Sequence, residues 1–323
     1  MTSSILIHAN TGENVGLGHL VRCLTLANEL YSRGIDVEFL LKNDDDAVAF
    51  ARKEGIEPTT TDPERLHEDI LTASVDVVII DSYDFTTGKF KKIAKKKRLI
   101  VIDELGDRYI PAEIIINNNI YADNISYPAA ETILRGPKYC MLREPFRNLS
   151  EPPIRHRPES VLVTVGGSDL ADSFVDILNV AGSVSNEIAI NAIIGPYFNP
   201  PEDTPDNVIF HREPSAIHEL MWDADMAVSG GGQTLYELAV CGTPTVALTL
   251  GLDQVRNIDG FVNAGFCFSA GTPDEYSFEA TLQDQLQILI QENETRRQMA
   301  KCGRTIVDGD GVIRVADSII NLI

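Results

Sequence analysis

The stretch Ser4–Leu30 reads Ser-Ile-Leu-Ile-His-Ala-Asn-Thr-Gly-Glu-Asn-Val-Gly-Leu-Gly-His-Leu-Val-Arg-Cys-Leu-Thr-Leu-Ala-Asn-Glu-Leu. Its order predicts a β-strand, a loop with Gly16 and Gly18, and a helix with His19 and Arg22 in its first turn. Glycines let the backbone approach a ligand closely, and the free N–H groups of a helix start attract anions. We therefore expect Gly16, Gly18 and Arg22 to line a site for a phosphorylated substrate.

His19 is the candidate proton acceptor of this segment. The positive end of the helix dipole favours a neutral imidazole, which is the form that a general base needs. A histidine in this place can equally be a structural residue whose ring nitrogens are satisfied by the fold. The flanking glycines and Arg22 leave both interpretations open.

The composition limits the class of partner. The net charge of −21 over 323 residues argues against binding to nucleic acid or to an anionic membrane. We find no apolar run of the roughly 20 residues that span a membrane and no signal pattern, so we expect a cytoplasmic protein. The five scattered cysteines predict free thiols rather than disulfides or a zinc site. We expect neither a metal nor a cofactor.

One segment departs from this acidic character. Lys89–Arg98 carries seven basic residues and no acidic one. It is either a solvated helix face or a docking patch for an acidic partner. In so acidic a chain, a phosphate site has to be built locally, from backbone amides and a few well-placed donors.

Strands that alternate with helices predict two α/β domains, as does the length at roughly 150 residues per domain. The apolar run Val75–Asp81 is typical of a strand buried on both faces of a parallel sheet. It ends in Asp81-Ser82-Tyr83-Asp84, and polar groups at such strand ends bind ligands in open α/β sheets. The proline-rich stretch from Glu151 to Pro158 predicts a linker, so we expect domains at 1–150 and 158–310.

A second glycine-rich loop lies in the C-terminal half. Gly230-Gly231-Gly232-Gln233-Thr234 follows a predicted strand and opens a helix, so its N–H groups and side chains predict a phosphate site. Glu237, one turn into that helix, could accept hydrogen bonds from a ribose diol. The alternative is a tight turn that needs glycine only for packing. Gly166-Gly167-Ser168-Asp169 has the same form and the same two interpretations.

Three further side chains are candidates for sugar contacts. Gln254 and Asn257 stand three apart at a predicted helix start, so they share a face and could bind hydroxyl or amide groups. The alternative is a capping arrangement headed by Asp253. Tyr83 could reach the ligand from the first domain or could belong to the core. A nicotinamide enzyme fits poorly, because Val21 stands where the dinucleotide fingerprint requires its third glycine.

Three motifs, in this order, resemble the PseG/SpsG family. They are Gly16-x-Gly18-His19-x-x-Arg22-Cys23, the segment Asn117–Arg143, and Ser229-Gly-Gly-Gly-Gln-Thr-Leu-Tyr-Glu237 with Gly242-Thr-Pro244. PseG is the UDP-2,4-diacetamido-2,4,6-trideoxy-β-L-altropyranose hydrolase of pseudaminic acid synthesis. SpsG-like members are named for spore-coat polysaccharide synthesis and are usually labelled glycosyltransferases.

The resemblance implies a GT-B fold, with two Rossmann-like parallel-sheet domains facing across a cleft that holds the sugar nucleotide. It also implies that the last helix, about 311–323, returns to the first domain. The catalytic residues would be His19 as the base, with Tyr83 and Asn257 on the sugar side or positioning water. The nucleotide would be held by Gly231, Gly232, Gln233, Thr234 and Glu237, with Gln254 beside the substrate.

The residues themselves fit a simple reaction. A nucleoside diphosphate leaves readily when amides hold its charge, so one base suffices, whereas a glycosidase needs paired carboxylates. We expect hydrolysis of a UDP-linked amino sugar by a monomer or weak dimer. An inverting glycosyltransferase of surface polysaccharide synthesis and a non-catalytic sugar-nucleotide sensor are the alternatives.

Overall fold

The computed structural model describes residues 4–12, 17–165, 171–195, 200 and 204–323. Gly16 and the turn 166–169 lie outside the described residues. The chain forms two compact units. The first comprises Met1–Glu144 and Gly309–Ile323, and the second comprises Pro145–Asp308. The second unit thus begins slightly before the linker that the sequence indicates.

The elements follow one another as alternating strands and helices. The first unit contains β1 (Ser4–Ala9), α1 (Gly18–Ser32), β2 (Asp36–Lys42), α2 (Asp45–Lys53), β3 (Thr59–Thr61), α3 (Leu66–Thr72), β4 (Val77–Asp81), α4 (Thr87–Ala94), β5 (Arg98–Ile102), β6 (Ile114–Asn117) and β7 (Thr132–Arg135). The second contains β8 (Ser160–Thr164), α5 (Ala171–Val184), β9 (Ala189–Ile194), β10 (Val208–Arg212), α6 (Ile217–Asp223), β11 (Met226–Gly230), α7 (Gln233–Cys241), β12 (Thr245–Leu248), α8 (Val255–Asn263), β13 (Cys267–Ser269), α9 (Phe278–Gln291) and α10 (Asn293–Ile306). The last helix, α11 (Gly311–Ile320), belongs to the first unit.

The described strands of the first unit form one parallel sheet in the order β3-β2-β1-β4-β5-β6-β7. The chain runs outward in one direction from β1 and in the other from β4. In open α/β sheets, ligands bind at the carboxyl ends of the strands where the order reverses in this way. A ligand site is therefore expected at the carboxyl ends of β1 and β4.

The strands of this sheet are buried on both faces. Ile7 and Ile79, which are register partners in β1 and β4, pack into one apolar cluster with α1, α2 and α11. Their neighbours Leu6 and Ile80 pack into a second cluster with α3 and α4. Successive side chains of a strand point to opposite faces, so a strand covered on both sides must be apolar throughout.

Helix α11 completes the first cluster. Its buried residues, at helical spacing, are Val312, Val315, Ala316 and Ile319. The helix can approach this closely because it begins with Gly311. A Cβ atom at that position would lie 2.1 Å from the carbonyl oxygen of Cys140, so only glycine fits there.

The basic segment Lys89–Arg98 covers most of α4 and the start of β5. Phe90 and Ile93 point into the core, whereas Lys91 and Lys92 are exposed. The part of the segment within α4 is thus amphipathic, with Phe90 and Ile93 on its buried face and Lys91 and Lys92 on its exposed face. The docking patch stays a prediction.

The described strands of the second unit form another parallel sheet, in the order β10-β9-β8-β11-β12-β13. The strand order reverses between β8 and β11. Its core joins strands β8, β9, β11 and β12 to α5 and α9. Across the described parts of both units, we find no helix that is both long enough and apolar enough to cross a membrane.

Candidate functional site

Five side chains meet at the carboxyl edge of the first sheet, where the strand order reverses. They are His19, Arg22, Asp81, Tyr83 and Glu104, which we call the His19 cluster. His19 and Arg22 lie in the first turn of α1, Asp81 is the last residue of β4, and Glu104 follows β5. Because β1, β4 and β5 are neighbours, the turns that leave them come together.

Asp81 orients the imidazole of His19. The Nδ1 atom of His19 lies 2.6 Å from Oδ1 of Asp81, a carboxylate that is only 1% exposed. Burial alone would raise the pKa of Asp81, but the charge of Arg22, helped by His19, lowers it well below its usual range. An ionised carboxylate can only accept, so a neutral His19 that donates to it carries its hydrogen on Nδ1 and has its lone pair at Nε2. Nη2 of Arg22 lies 3.0 Å from the same Nδ1 atom. Nε2 makes no hydrogen bond to the described residues.

Arg22 ties the two carboxylates of the cluster together. Its Nε and Nη2 atoms donate to Asp81 at 2.5 and 2.7 Å, and Nη1 donates to Glu104. Burial alone would lower the pKa of Arg22, but the two carboxylates raise it well above its usual range. Its guanidinium is thus used within the protein, so its predicted contact with substrate stays a prediction.

Tyr83 forms the open side of the cluster. It is 43% exposed, and its ring makes a T-shaped contact with the ring of His19, with 4.9 Å between the ring centres. Its hydroxyl donates to Glu104 at 2.7 Å. Burial, and then the charge of Glu104, raise the pKa of Tyr83 far above its usual range. The phenol therefore stays protonated, and Tyr83 can contact a ligand but cannot serve as a base.

The sequence predicts His19, Arg22 and Tyr83 as site residues and places Asp81 only among the polar groups at a strand end. It assigns no partner to Asp81 or Glu104. The helix dipole is a local signal at His19, whereas the anion beside its ring belongs to a distant strand. The available signal was their position, since polar residues follow the apolar runs of β4 and β5. Position alone did not show that the two carboxylates share one arginine.

The glycine loop of the second unit joins β11 to α7. The N–H of Gly231 donates to Oε1 of Gln254 at 2.9 Å, so it is not a free donor. A Cβ on Gly231 would also lie 2.5 Å from Cγ1 of Ile258, so packing requires this glycine. Gly232, Gln233 and Thr234 are half-exposed at the start of α7. Their backbone N–H groups stand at the N-terminus of α7, the end of a helix that attracts anions.

The carboxamides near this loop are arranged differently from expectation. Helix α8 begins at Val255 and has no side-chain cap, so the alternative in which Asp253 caps it is wrong. Gln254 lies in a 3₁₀ turn before α8 rather than inside the helix. Asn257 is buried and accepts a hydrogen bond from the hydroxyl of Tyr236 at 2.7 Å. Glu237 is also buried, within α7.

The predicted residues therefore fall into two groups. His19, Arg22 and Tyr83 meet in the first unit, while Gly231, Gln254 and Asn257 lie around the loop of the second. Among the residues that are described, no group of three or more His, Cys, Asp or Glu side chains could hold a metal ion.

Comparison with known proteins gives three relatives at 25–28% identity. No family model matches the chain. It is 28% identical to the spore coat polysaccharide biosynthesis protein SpsG of Bacillus subtilis, over 96% of this chain and 95% of SpsG. It is 25% identical to the pseudaminic acid cytidylyltransferase and UDP-2,4-diacetamido-2,4,6-trideoxy-β-L-altropyranose hydrolase of Helicobacter pylori, over 77% of this chain and 45% of that protein. An uncharacterized protein of Methanocaldococcus jannaschii is 26% identical over 76% of this chain and 55% of its own length. The chain thus spans about half the length of the last two relatives.

Solved structures show the same fold. The calicheamicin glycosyltransferase CalG4 has a TM-score of 0.70 at 14% identity, over 99% of this chain and 98% of CalG4. MurG of Acinetobacter baumannii has a TM-score of 0.67 at 16% identity, over 99% of this chain and 100% of MurG. The chain has the GT-B fold of these glycosyltransferases, which confirms the predicted fold class.

Proposed function

Since the chain is a relative of SpsG and of a PseG-type UDP-sugar hydrolase, we propose that it hydrolyses a UDP-linked amino sugar. The bond cleaved is the anomeric C–O bond, and the products are the free sugar and UDP. Such a reaction belongs in the synthesis of pseudaminic-acid-type sugars or surface polysaccharides. The proposed catalytic group is the His19 cluster, and the proposed nucleotide site is the loop before α7.

The pairing of His19 with Asp81 carries this proposal. With Nδ1 held at 2.6 Å from a buried carboxylate, Nε2 can take a proton from water as the water oxygen attacks the anomeric carbon. The bond to the diphosphate then breaks, and its electron pair leaves with UDP. Asp81 stabilises the imidazolium that forms, as the aspartate of a catalytic triad does.

The leaving group needs charge stabilisation rather than a proton. The N–H groups of Gly232, Gln233 and Thr234 stand at the positive end of α7, which suits a diphosphate. Glu237 is the candidate for the ribose, and Gln254 and Asn257 are the candidates for the sugar. Because the diphosphate is stable as an anion, no second carboxyl group has to act as an acid.

The test is incubation with UDP-sugars in ¹⁸O-water, with no acceptor present. We expect free sugar that carries the label at C1. Replacement of His19 by Asn should lower kcat by roughly 10²–10⁴-fold and leave UDP affinity nearly intact. His156 is exposed and serves as the matched His→Asn control. Equal loss of turnover and UDP binding in a folded His19 variant would contradict the role of base.

A second candidate function is transfer to a sugar hydroxyl. The relative that matches over nearly its whole length is named for polysaccharide synthesis, not for hydrolysis. The same histidine would then deprotonate the acceptor instead of water. In the ¹⁸O experiment a transferase gives turnover only when an acceptor is added. A non-catalytic sensor would bind the nucleotide sugar and release nothing.

A further inference from the structure

Arg108 is a half-buried arginine that contacts the His19 cluster, and the proposed function gives it no role. Its Nη1 atom donates to the backbone carbonyl oxygens of Tyr83 and Phe85, each at 3.0 Å. Its Nη2 atom donates to Oδ1 of Asp103 at 2.7 Å. One guanidinium group thus joins the segment that follows β4 to the segment that follows β5.

Asp103 fixes the second of these segments. Its carboxylate is buried, and Oδ2 accepts from the backbone N–H groups of Leu105 and Gly106 at 3.2 and 2.7 Å. Both carboxylate oxygens are therefore engaged within the fold, Oδ1 by Arg108 and Oδ2 by the turn. The turn that carries Glu104 is held in place as a result.

Tyr83 is held at two points. Its carbonyl oxygen accepts from Arg108, and its hydroxyl donates to Oε2 of Glu104 at 2.7 Å. The ring is exposed, so packing restrains it little, and these hydrogen bonds set its place beside His19. Because Arg108 also binds Asp103, it fixes the two segments that meet in this contact.

We propose that Arg108, held by Asp103, is a positioning residue that sets the place of Tyr83 in the catalytic group. The proposal rests on the proposed function, to which Tyr83 belongs as a member of the His19 cluster. Arg108 acts through Tyr83 rather than on the substrate. A displacement of about 1 Å in a reacting constellation can cost roughly 10²-fold in rate, so a loosened Tyr83 should lower kcat.

The shape of the arginine matters as much as its charge. The guanidinium lies over the ring of Phe90, 5.8 Å from the ring centre, and donates in different directions from two nitrogens. A lysine keeps the positive charge beside Asp103 but offers a single nitrogen, so it cannot reproduce this set of bonds. Arg108→Lys therefore loosens the segments without leaving a buried carboxylate unpaired. Arg108→Gln, which keeps an NH₂ group as donor, is the second variant if Arg108→Lys does not fold.

Amide hydrogen exchange tests the hold on the two segments without any substrate. The reporters are the N–H groups of Asp84, Leu105 and Gly106, since each donates within one of the segments. With quench-flow labelling, we expect their exchange to be at least about tenfold faster in Arg108→Lys, with exchange in β1 unchanged. Arg155→Lys is the matched control and should leave the three reporters unchanged. Arg155 also donates to a carboxylate and a carbonyl, but in the second unit.

Kinetics test whether Arg108 acts through Tyr83. The probe is UDP-2,4-diacetamido-2,4,6-trideoxy-β-L-altropyranose, the sugar nucleotide in the name of the Helicobacter pylori relative. In Arg108→Lys we expect kcat to fall roughly 10–100-fold, with KM changed by less than about threefold. When Tyr83 is already alanine, adding Arg108→Lys should change kcat by less than about twofold, because the group that Arg108 positions is gone.

Three results would each overturn the positioning role. They are unchanged exchange at the three amides, a kcat near that of wild type in Arg108→Lys, and losses that multiply in the double variant. A wild-type protein that releases no sugar from the probe contradicts the proposed function for that sugar. Exchange needs no substrate, so it still decides in that case whether Arg108 holds the segment of Tyr83.

Discussion

The two units share one sheet architecture but differ in the side chains at their candidate sites, which are charged in the first unit and neutral in the second. Each has a parallel sheet whose strand order reverses near its centre, and in each the candidate residues follow the central strands. In the first unit, ionised side chains hold one another in the His19 cluster. In the second, backbone N–H groups and neutral carboxamides surround a glycine loop.

This difference has a physical cause. Buried charges must compensate one another, so the members of the His19 cluster depend on each other. Neutral donors pay a smaller desolvation penalty, so each can act nearly alone. The first site should therefore respond to mutation as a unit, in stability and in activity together. The second should respond residue by residue, in affinity alone.

The largest effect is expected for Asp81→Asn. An asparagine can donate to Nδ1 of His19 and select the tautomer that lacks a lone pair at Nε2, so kcat should fall by roughly 10²–10⁴-fold. UDP affinity, measured by calorimetry, should not change. Asp84→Asn is the matched control, because Asp84 is exposed and pairs only with Lys42 among the described residues. A kcat near that of wild type in a folded Asp81 variant would contradict the mutual dependence of the residues in the His19 cluster.

The next effect is on stability, in Arg22→Ala. This change leaves Asp81 and Glu104 without their shared cation, which should cost about 3–5 kcal/mol of unfolding free energy. Hydrogen exchange should locate the loss in the first unit. The single tryptophan, Trp222, lies in the second unit and reports on that unit separately. Arg52→Ala, at an exposed ion pair, should have little effect; equal losses from both variants would contradict a coupled cluster.

His8 gives the first unit a pH dependence. Burial lowers the pKa of His8 from 6.5 to about 4, and the neutral ring donates to the carbonyl of Leu40. The unfolded chain takes up a proton at His8 more readily than the folded protein does. The stability that the buried neutral ring contributes is therefore fully present above pH 6.5 and is lost as the pH falls towards 4. The loss should be about 3 kcal/mol. Urea unfolding at pH 7 and pH 4.5 should show a smaller difference for His8→Leu than for wild type.

The smallest effect is expected in the second unit. Thr234→Ala removes one half-exposed hydroxyl from the first turn of α7. UDP affinity should fall threefold to tenfold, which is about 1 kcal/mol for one hydrogen bond. The urea midpoint should stay within the error of measurement. A large loss of stability would show that this site is also a coupled unit, and the contrast between the units would be lost.

The sequence predicted most of the fold because its signals are local. Strand β4 lies within the predicted run Val75–Asp81, since a buried apolar run is read from neighbouring residues. The sequence does not predict strand β7, because Thr132–Arg135 has a single fully buried side chain and lacks a clear apolar run. The charge pattern marks Lys89–Arg98 as one segment, whereas in the structure a helix and a strand share it.

Sequence patterns indicate candidate site residues one local segment at a time. The glycines before α7 are recognised from their place between a strand and a helix. The contact of His19 with Asp81 joins residues 62 positions apart. Likewise, the hydrogen bond from Tyr236 to Asn257 joins residues 21 positions apart. Sequence patterns do not contain such partnerships, because they arise only when strands are placed side by side.

The return of α11 to the first unit has a consequence for the order of folding. During synthesis, 145–308 leave the ribosome before the residues that fill the last part of the first core. The second unit can fold as soon as it emerges, whereas the first must wait with an apolar face of α1 uncovered. Until α11 has emerged, that face is open to chaperones and to aggregation. Gly311 allows α11 to complete this core, since any larger side chain at that position would clash with the backbone of Cys140.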